Sequence, residues 1–347
     1  MENEYTHIEK YEDSRAYREE YRDGILALMA RRAKELEEER RKKVTPESMK
    51  ENKEAYRAEF KKLLGWPLTE EHPTDVPEVR FFEEPIEGTQ AVVRRTKIRL
   101  FDELWLYGLL FVPHNMKEGE KLPGVISQHG GLGTPELCSG LTGDSANYND
   151  MTSRILSYRA VVFAPQLLIW KKEDGEPDFD RPHIDQQLKM MGSSITAIEV
   201  FGIMRAIDYL QSRPDVDKDR IGMVGLSYGG FYTLHAAAAD PRIKSAISSC
   251  AYNDCTTFNI NDWTFPQDAY TLLDAEIAGL VAPRALVLEA GDHDQLFDPK
   301  GAEKEFVYTK AFYAAEGAED KVVLRVFDGP HELYKGSESM DFFFANL

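Results

Sequence analysis

Residues 225–230, Gly-Leu-Ser-Tyr-Gly-Gly, constrain the fold of this chain more than any other stretch. The run 220–224 before them predicts a buried strand, and the alanine-rich run 231–239 after them predicts a helix. A serine between two glycines at such a junction is the sequence context of a nucleophile elbow. Glycine is needed there because the sharp turn brings two backbones too close for a side chain. The sequence therefore predicts that the Ser227 hydroxyl stands at the open edge of a sheet.

The size and composition of the chain predict a globular α/β protein. Its 347 residues are 42% hydrophobic, which is enough for one large core with additions or for two modest domains. No run approaches the roughly 20 apolar residues of a membrane span. The three cysteines form no CxxC pair and no disulfide framework. We therefore expect a soluble, cytoplasmic protein.

The net charge of −18 is unevenly distributed along the chain. Residues 1–65 hold 16 of the 42 basic and 16 of the 60 acidic residues, so the whole acidic excess lies after them. A surface of that sign repels phosphate backbones and anionic lipids. We therefore expect a small-molecule substrate, neutral or cationic, and neither a nucleic acid nor a membrane as partner.

Residues 1–65 predict an N-terminal extension of two charged helices. The first covers about 14–43, and its larger apolar side chains lie near one face: Tyr17, Tyr21, Ile25, Leu28, Met29 and Leu36. The second begins at Thr45, with proline at its first helical position, and runs to Leu64 and Gly65. These helices either pack on the chain's own core, or form an arm that docks on a second subunit as a homodimer or overhangs its active site. Residues 66–90, rich in proline and acid, predict a linker.

Residues 91–347 predict one α/β domain that carries Ser227. Two strands in antiparallel arrangement open it, and strands then alternate with helices, which predicts a mostly parallel central sheet flanked by helices. The less regular stretches 166–192 and 252–282 predict insertions that cap the sheet edge and line a pocket. Ordinary packing is the simpler role for most of their aromatic side chains, but five are candidates for the pocket wall: Trp170, Phe179, Phe258, Trp263 and Phe265.

A serine hydroxyl becomes a nucleophile only with a base in hydrogen-bond reach and a third group that orients the base. Two polar loops follow later predicted strands, at 291–298 and 328–332. In this topology the nucleophile, the acid and the histidine follow one another along the chain. His331 in the last loop is therefore the predicted general base, and His293 is its only serious rival.

Asp294 is the predicted triad acid, because it lies three residues past Gly291 and can reach back from its loop. Spacing alone leaves Asp298 and Asp292 open as alternatives, and either is also suited to capping a loop or helix. The grouping of Asp292, His293 and Asp294 is a poor metal site, because no other spaced His/Cys set accompanies it. The sequence also lacks a phosphate-binding glycine loop, so we expect no metal and no cofactor.

An acyl-transfer site also needs N–H donors for the developing oxyanion. The backbone N–H of Tyr228, directly after the serine, is the first predicted donor. The second is expected from the glycine-rich loop at 128–133, where Gly131 is preferred and Leu132 comes next. His129 in this loop is predicted to pack and to hydrogen bond, not to catalyse.

At this point the chain resembles the α/β-hydrolase superfamily, and within it the dienelactone-hydrolase-like and acetyl-xylan-esterase-like serine esterases of bacteria. The resemblance covers roughly residues 90–347 and rests on the stretches 128–131 (Gln-His-Gly-Gly), 219–230 (Asp-Arg-Ile-Gly-Met-Val-Gly-Leu-Ser-Tyr-Gly-Gly), 240–244 (Asp-Pro-Arg-Ile-Lys), 282–284 (Ala-Pro-Arg) and 291–294 (Gly-Asp-His-Asp). Dienelactone hydrolases carry cysteine at the nucleophile position, where this chain has Ser227. The elbow also resembles that of prolyl-oligopeptidase-type peptidases, but no region of β-propeller size precedes it.

The resemblance implies a carboxylic-ester hydrolase that works through an acyl-enzyme, with a sugar-ester deacetylase as one candidate. The residues predict a serine hydrolase with the triad Ser227, Asp294 and His331 and with Tyr228 and Gly131 as the oxyanion hole. Two alternatives stay open: a peptidase or amidase with the same triad, and a non-catalytic binding protein on the same fold.

Overall fold

The computed structural model describes residues 5–114, 116–172, 175–177, 179–257 and 260–347. Ten strands lie in these residues: β1 (Val79–Phe81), β2 (Ile86–Glu87), β3 (Ala91–Arg99), β4 (Trp105–Pro113), β5 (Leu122–Gln128), β6 (Val161–Pro165), β7 (Val216–Leu226), β8 (Ile243–Ser249), β9 (Ala285–Gly291) and β10 (Val322–Phe327). They form one sheet in the spatial order β1-β3-β4-β6-β5-β7-β8-β9-β10, and β2 pairs with β3.

The sheet is antiparallel at its beginning and parallel from β5 onward. β3 pairs antiparallel with β1, β2 and β4, and β4 pairs antiparallel with β6. The pairs β5–β6, β5–β7, β7–β8, β8–β9 and β9–β10 are parallel. This arrangement confirms the predicted mostly parallel sheet with an antiparallel opening. It also brings the carboxyl ends of β5 to β10 to one edge of the sheet, where polar loops can meet.

Twelve α-helices lie in the part of the chain that the structure describes: α1 (Arg15–Lys43), α2 (Pro46–Glu51), α3 (Lys53–Leu64), α4 (Pro135–Cys138), α5 (Met151–Ser157), α6 (Arg181–Met190), α7 (Ile195–Ser212), α8 (Tyr228–Ala239), α9 (Asp268–Thr271), α10 (Asp274–Val281), α11 (Pro299–Ala315) and α12 (Glu338–Ala345). Side chains alternate along each strand, so neighbours such as Val125 and Ile126 point into different cores. The larger core lies under α3, α7, α8 and α10, and the smaller one lies under α5 and α12. None of the described helices is long and apolar enough to cross a bilayer.

The N-terminal helices differ from the expectation in two ways. The expected second helix is broken at Asn52, which separates α2 from α3 with φ −121° and donates its side-chain N–H to the Ser48 carbonyl. An Asn side chain that bonds the nearby backbone competes with helix continuation. The predicted cap at Thr45 is present, since its hydroxyl accepts the Ser48 N–H.

The two parts of this segment also differ in their packing. Phe60 and Leu64 of α3 are fully buried in the larger core. In contrast, residues 15–34 of α1 are exposed except for the half-buried Glu19. The apolar face that the sequence placed on α1 is therefore open to solvent, with Tyr21 75% and Met29 59% exposed.

Three stretches are more regular than the sequence suggested. The proline-rich stretch 66–90 contains β1 and β2, which extend the sheet beyond β3. The stretch 166–192 contains α6, and the stretch 252–282 contains α9, α10 and a single 3₁₀ turn over Asn261–Trp263. Of the predicted pocket aromatics, Phe258 lies outside the described residues.

Candidate active site

Ser227 occupies the junction between β7 and α8 in a strained conformation. Its φ is 59°, and its N–H donates to the Ser249 carbonyl at 2.8 Å. A non-glycine residue held in this region costs of order 1–3 kcal/mol and persists only when the surroundings enforce it. Here they do, since a Cβ on Gly225 would lie 2.2 Å from the Gly229 carbonyl oxygen. The two glycines thus have the steric role that the sequence predicted, and the turn holds the Ser227 hydroxyl at the sheet edge.

The glycine loop after β5 lies directly beside this turn. A Cβ on Gly130 would be 3.1 Å from the Cβ of Ser227, so the loop backbone approaches the serine closely. The N–H of Gly130 donates to the Tyr148 hydroxyl at 2.8 Å. A Cβ on Gly131 would be 3.2 Å from the Tyr228 ring, which places both predicted oxyanion donors in one neighbourhood. Because the Gly130 N–H is bonded to the Tyr148 hydroxyl, Gly131 remains the preferred oxyanion donor of this loop.

The buried side chain of His129 holds the same loop in place through hydrogen bonds. Its Nδ1 lies 2.8 Å from the Gly130 carbonyl oxygen, and its Nε2 accepts the Leu167 N–H at 2.9 Å. The ring is fully buried, and this burial lowers the pKa of His129 to about 4. A neutral imidazole with its proton on Nδ1 satisfies both bonds. His129 is therefore a hydrogen-bonding residue of the loop, in agreement with the sequence.

The structure brings Asp294 and His331 together. Oδ2 of Asp294 lies 2.7 Å from Nδ1 of His331, while Oδ1 accepts the N–H groups of Leu296 and Phe297 at 2.8 and 3.2 Å. Burial acts to raise the pKa of Asp294, but the His331 bond and the two N–H donors outweigh it and lower the pKa below its usual value. The carboxylate is thus ionised at neutral pH and can orient the imidazole.

The loop that carries His331 is pulled from β10 back toward the middle of the sheet. The Asn147 side chain donates to the His331 carbonyl at 3.0 Å, and the Leu333 N–H donates to the Asn147 carbonyl at 2.9 Å. Cys250, which follows β8, donates its thiol hydrogen to the Glu332 carbonyl at 3.3 Å. β8 is the immediate neighbour of β7, so these contacts hold the His331 loop at the end of the strand next to the one that precedes Ser227.

The competing residues of the two loops have other surroundings. Asp298 accepts the Lys300 N–H at 3.0 Å as the N-cap of α11, and Asp292 accepts the Gly329 N–H at 3.0 Å. The His293 side chain is 69% exposed and lies near the carboxylates of Asp292 and Asp328, at 3.5 and 3.4 Å. None of these contacts involves His331, which leaves Asp294 as the predicted acid with direct geometric support.

Two groups of potential metal ligands lie at this edge among the described residues. One consists of Cys250, Asp294 and His331, and the other of the exposed Asp292, His293 and Asp328. Burial, with a smaller contribution from the charge of Asp294, raises the pKa of the Cys250 thiol to about 12. A metal-binding cysteine must be a thiolate, so the first group is poorly suited to a metal.

A series of aromatic contacts links Tyr228 to His331. Trp263 lies edge-on to Tyr228 at 5.1 Å and stacks on Phe297 at 5.7 Å, and Phe297 in turn lies 5.7 Å from the His331 ring. Trp263 is thus the pocket candidate that meets the site residues, whereas Trp170 contacts Phe179 at 6.0 Å.

Three residues near the site were not predicted from the sequence. Tyr148 holds the Gly130 N–H, and Arg181 and Asp262 form a buried ion pair next to Tyr228, with 2.6 Å between Nε and Oδ2. Their partners lie 18 to 81 residues away along the chain. The one local signal is that Arg181 precedes a proline, as a helix start does.

Part of the chain is similar in sequence to known proteins. Residues 112–266 match the dienelactone hydrolase family. Over 145 residues the chain is 34% identical to the protein YtaP of Bacillus subtilis (strain 168), and this match covers 40% of the chain and 48% of YtaP. The match therefore spans about half the length of that relative.

Solved structures with low sequence identity share the architecture. The glucuronoyl esterase from Solibacter usitatus superposes with a TM-score of 0.66 at 17% identity, over 87% of this chain and 94% of that one. Acetyl xylan esterase 1 from Thermoanaerobacterium sp. JW/SL YS485 gives 0.55 at 16% identity, over 85% and 93% of the two chains. At such identities the likeness concerns the fold.

Proposed function

From the α/β-hydrolase fold of this chain and the dienelactone hydrolase match of residues 112–266, we propose that it is a serine carboxylic-ester hydrolase that acts on small acyl esters. The observation that carries the proposal is the Asp294–His331 pair, 2.7 Å apart at the sheet edge where Ser227 directly follows β7. A serine at a strained turn, with an oriented imidazole at the same edge, suits acyl transfer.

The first step is acylation of Ser227. His331 Nε2 takes the proton of the hydroxyl as its oxygen attacks the ester carbonyl carbon, and the carbonyl oxygen becomes an oxyanion. The N–H groups of Tyr228 and Gly131 stabilise that charge, each by about 3 kcal/mol in typical sites. His331 then returns the proton to the leaving alkoxide as the carbon–oxygen bond breaks, and the alcohol leaves an acyl-Ser227 behind.

Deacylation repeats the sequence with water. His331 removes a proton from a water molecule, which attacks the acyl carbon, and the second oxyanion occupies the same pair of N–H donors. Its collapse breaks the bond to Ser227, whose oxygen regains the proton from His331. Throughout, the ionised Asp294 stabilises the imidazolium that forms in each half-reaction. The cycle needs no metal and no cofactor.

Labelling with a fluorophosphonate probe tests the proposal directly. Wild-type protein should become covalently modified at Ser227, while Ser227→Ala and His331→Ala should lose labelling and nearly all ester turnover. An intact wild-type protein that never labels would support the non-catalytic alternative. Turnover of matched amides at rates equal to those of esters would support the peptidase alternative.

The substrate class proposed here is an acyl ester of a sugar. A solved acetyl xylan esterase of similar fold supports it. A panel of nitrophenyl esters of increasing acyl length, run beside acetylated sugars, tests the idea. We expect kcat/KM to be highest for acetyl esters and for sugar acetates, and a maximum at long acyl chains would contradict the sugar-ester assignment.

We further propose that α1 pairs with the α1 helix of a second copy. An isolated helix of mixed charge is only marginally stable in water. Packing of a second protein surface against the exposed apolar face over residues 17–29 would stabilise it. The charges of residues 1–65 balance, whereas the rest of the chain carries −18, so copies meet with least repulsion through this segment. Light scattering should give about twice 39.5 kDa for the wild type, and Tyr21→Glu with Ile25→Glu should give the monomer mass. A monomeric wild type would contradict the pairing.

We place the protein in the cytoplasm on the state of its cysteines. Cys138, Cys250 and Cys255 are free thiols in the structure. Free thiols persist in a reducing compartment. Fractionation of cells that express the full chain tests this placement.

A further inference from the structure

A buried ionic cluster lies behind the oxyanion turn. Arg181 is 3% exposed and donates two hydrogen bonds to Glu199, at 3.0 and 2.9 Å, and one to Asp262 at 2.6 Å. It also donates to the Tyr232 hydroxyl at 2.7 Å. The cluster joins α6, α7 and the 3₁₀ turn over Asn261–Trp263, so it ties both insertions to the body of the fold.

This cluster ends on Tyr228, the residue directly after the proposed nucleophile. The Tyr228 hydroxyl donates to Oδ1 of Asp262 at 3.0 Å, and the Arg181 guanidinium lies 5.4 Å from the centre of the Tyr228 ring. The Tyr228 ring also lies against Gly131, where a Cβ would be 3.2 Å from the ring. One side chain therefore spans the distance between the ionic cluster and the glycine loop.

The residue after Asp262 reaches the other half of the site. Trp263 contacts Tyr228 edge-on and stacks on Phe297, whose N–H donates to Asp294 and whose ring lies near His331. Neighbouring positions of one short turn thus contact both the proposed oxyanion donor and the residues that surround the base. A shift of this turn would move the two parts of the site together.

Stability alone does not account for such a cluster. Burying an arginine with two carboxylates costs desolvation, and well-packed apolar residues often give equal or greater stability. What a buried, fully bonded ionic group provides is one defined geometry. Here that geometry holds the ring of Tyr228, the residue whose backbone N–H is the predicted oxyanion donor.

We propose that Asp262, held by Arg181, is a positioning residue that aligns Tyr228 for oxyanion stabilisation. The inference rests on the ester hydrolase function proposed above. Neither Asp262 nor Arg181 touches the reacting atoms. Both act through the Tyr228 hydroxyl, and their loss should weaken binding of the transition state more than binding of the ester.

The test removes the hydroxyl that links the cluster to the turn. Tyr228→Phe keeps the ring against Gly131 and Trp263 but loses the bond to Asp262. We expect kcat for nitrophenyl acetate to fall about tenfold, since small misplacements at a reacting centre cost one to two orders of magnitude, while KM stays within about twofold. The inhibition constant of a boronic acid, whose serine adduct is tetrahedral, should rise by the same factor as kcat/KM falls.

Tyr313→Phe is the matched control. Tyr313 is also buried, and its hydroxyl donates to the Arg284 carbonyl at 2.8 Å, next to the start of β9 and therefore at the opposite edge of the sheet. It should lower the melting temperature to a similar extent but leave kcat unchanged. Asp262→Asn provides a second variant, and its effect on kcat should not add to that of Tyr228→Phe, because both act on one hydrogen bond.

Active sites titrated with a fluorophosphonate separate the outcomes. A tenfold fall in kcat per titrated site in Tyr228→Phe, without one in Tyr313→Phe, supports the inference. An active wild type together with an unchanged kcat per site in Tyr228→Phe and in Asp262→Asn overturns it and leaves the ester hydrolase proposal intact. A wild type without labelling or ester turnover overturns both.

Discussion

Replacing Asp294 by asparagine is the sharpest single perturbation of this site. The carboxylate is 1% exposed and uses both oxygens: Oδ1 accepts the N–H groups of Leu296 and Phe297, and Oδ2 faces Nδ1 of His331. Asparagine has the same shape but only one oxygen. After the substitution, an acceptor oxygen can face either the two backbone N–H groups or His331, but not both.

The free energies of the two arrangements favour losing the acceptor that faces His331. If the amide nitrogen pointed at Leu296 and Phe297, two buried N–H groups would lose their acceptor, at about 1–3 kcal/mol each. Turning the NH₂ toward His331 instead only requires the imidazole to place its proton on Nε2, so that Nδ1 accepts. A base with its proton on Nε2 cannot take one from Ser227. We expect kcat to fall roughly 10⁴-fold, equivalent to about 5.5 kcal/mol in the activation barrier.

Steady-state hydrolysis of nitrophenyl acetate, with the rate of fluorophosphonate labelling as a second readout, measures this loss. Asp298→Asn is the control, because the Asp298 side chain accepts the Lys300 N–H at the start of α11. It should lower the free energy of unfolding by less than about 1 kcal/mol, because asparagine caps a helix about as well as aspartate and only the charge at the helix start is lost. It should leave kcat within threefold. Asp294→Asn with more than a tenth of wild-type kcat, or a large loss in Asp298→Asn, would refute the assignment of the acid.

Two further predictions concern stability. Burial lowers the pKa of His129 to about 4, so between pH 6.5 and 4 this residue binds a proton in the unfolded chain but not in the folded one. His129 should therefore contribute a fall of about 3 kcal/mol in the free energy of unfolding over that range, in addition to the fall from the buried His235, whose pKa burial lowers to about 3. Urea titrations of His129→Gln should show a flatter pH dependence over that window, and an unchanged slope would contradict this origin. Arg41 of α1 pairs with the buried carboxylates of Glu276 and Glu305. Glu276 keeps Arg40 as its second partner, so Arg41→Ala leaves chiefly Glu305 unpaired and should cost about 3 kcal/mol. Lys42→Ala, at an exposed neighbour, should leave the melting temperature within about 2 °C, and equal losses in both variants would refute the role of the pair.

Local sequence signals predicted the framework of the fold and of the candidate site. The strands from β3 to β10 follow the expected order, because each is set by the periodicity and the turn residues of its own stretch. The conformation at Ser227 follows from its two flanking glycines. Strand order along the chain placed Asp294 and His331 at one edge of the sheet, and the structure finds them in contact.

Individual side-chain contacts, whether local or between distant stretches, were outside the reach of these signals. The break at Asn52 depends on one side chain bonding Ser48 in place of water, and periodicity continues across it. The cluster around Arg181 joins residues 18 and 81 positions away, and no local pattern marks such pairs. The sequence also left open whether α1 packs on its own core, and the tertiary structure places most of that helix in solvent.

The sequence by itself determined where the proposed nucleophile stands, because a strand, a sharp glycine turn and a helix are set by neighbouring residues. It also determined the order in which the acid and the base follow. Only the tertiary structure decided how they meet: the His331 loop is drawn across the sheet by Asn147 and Cys250, and Tyr228 is anchored by Asp262. Such bonds depend on the distance between folded segments, which the linear order of residues does not contain.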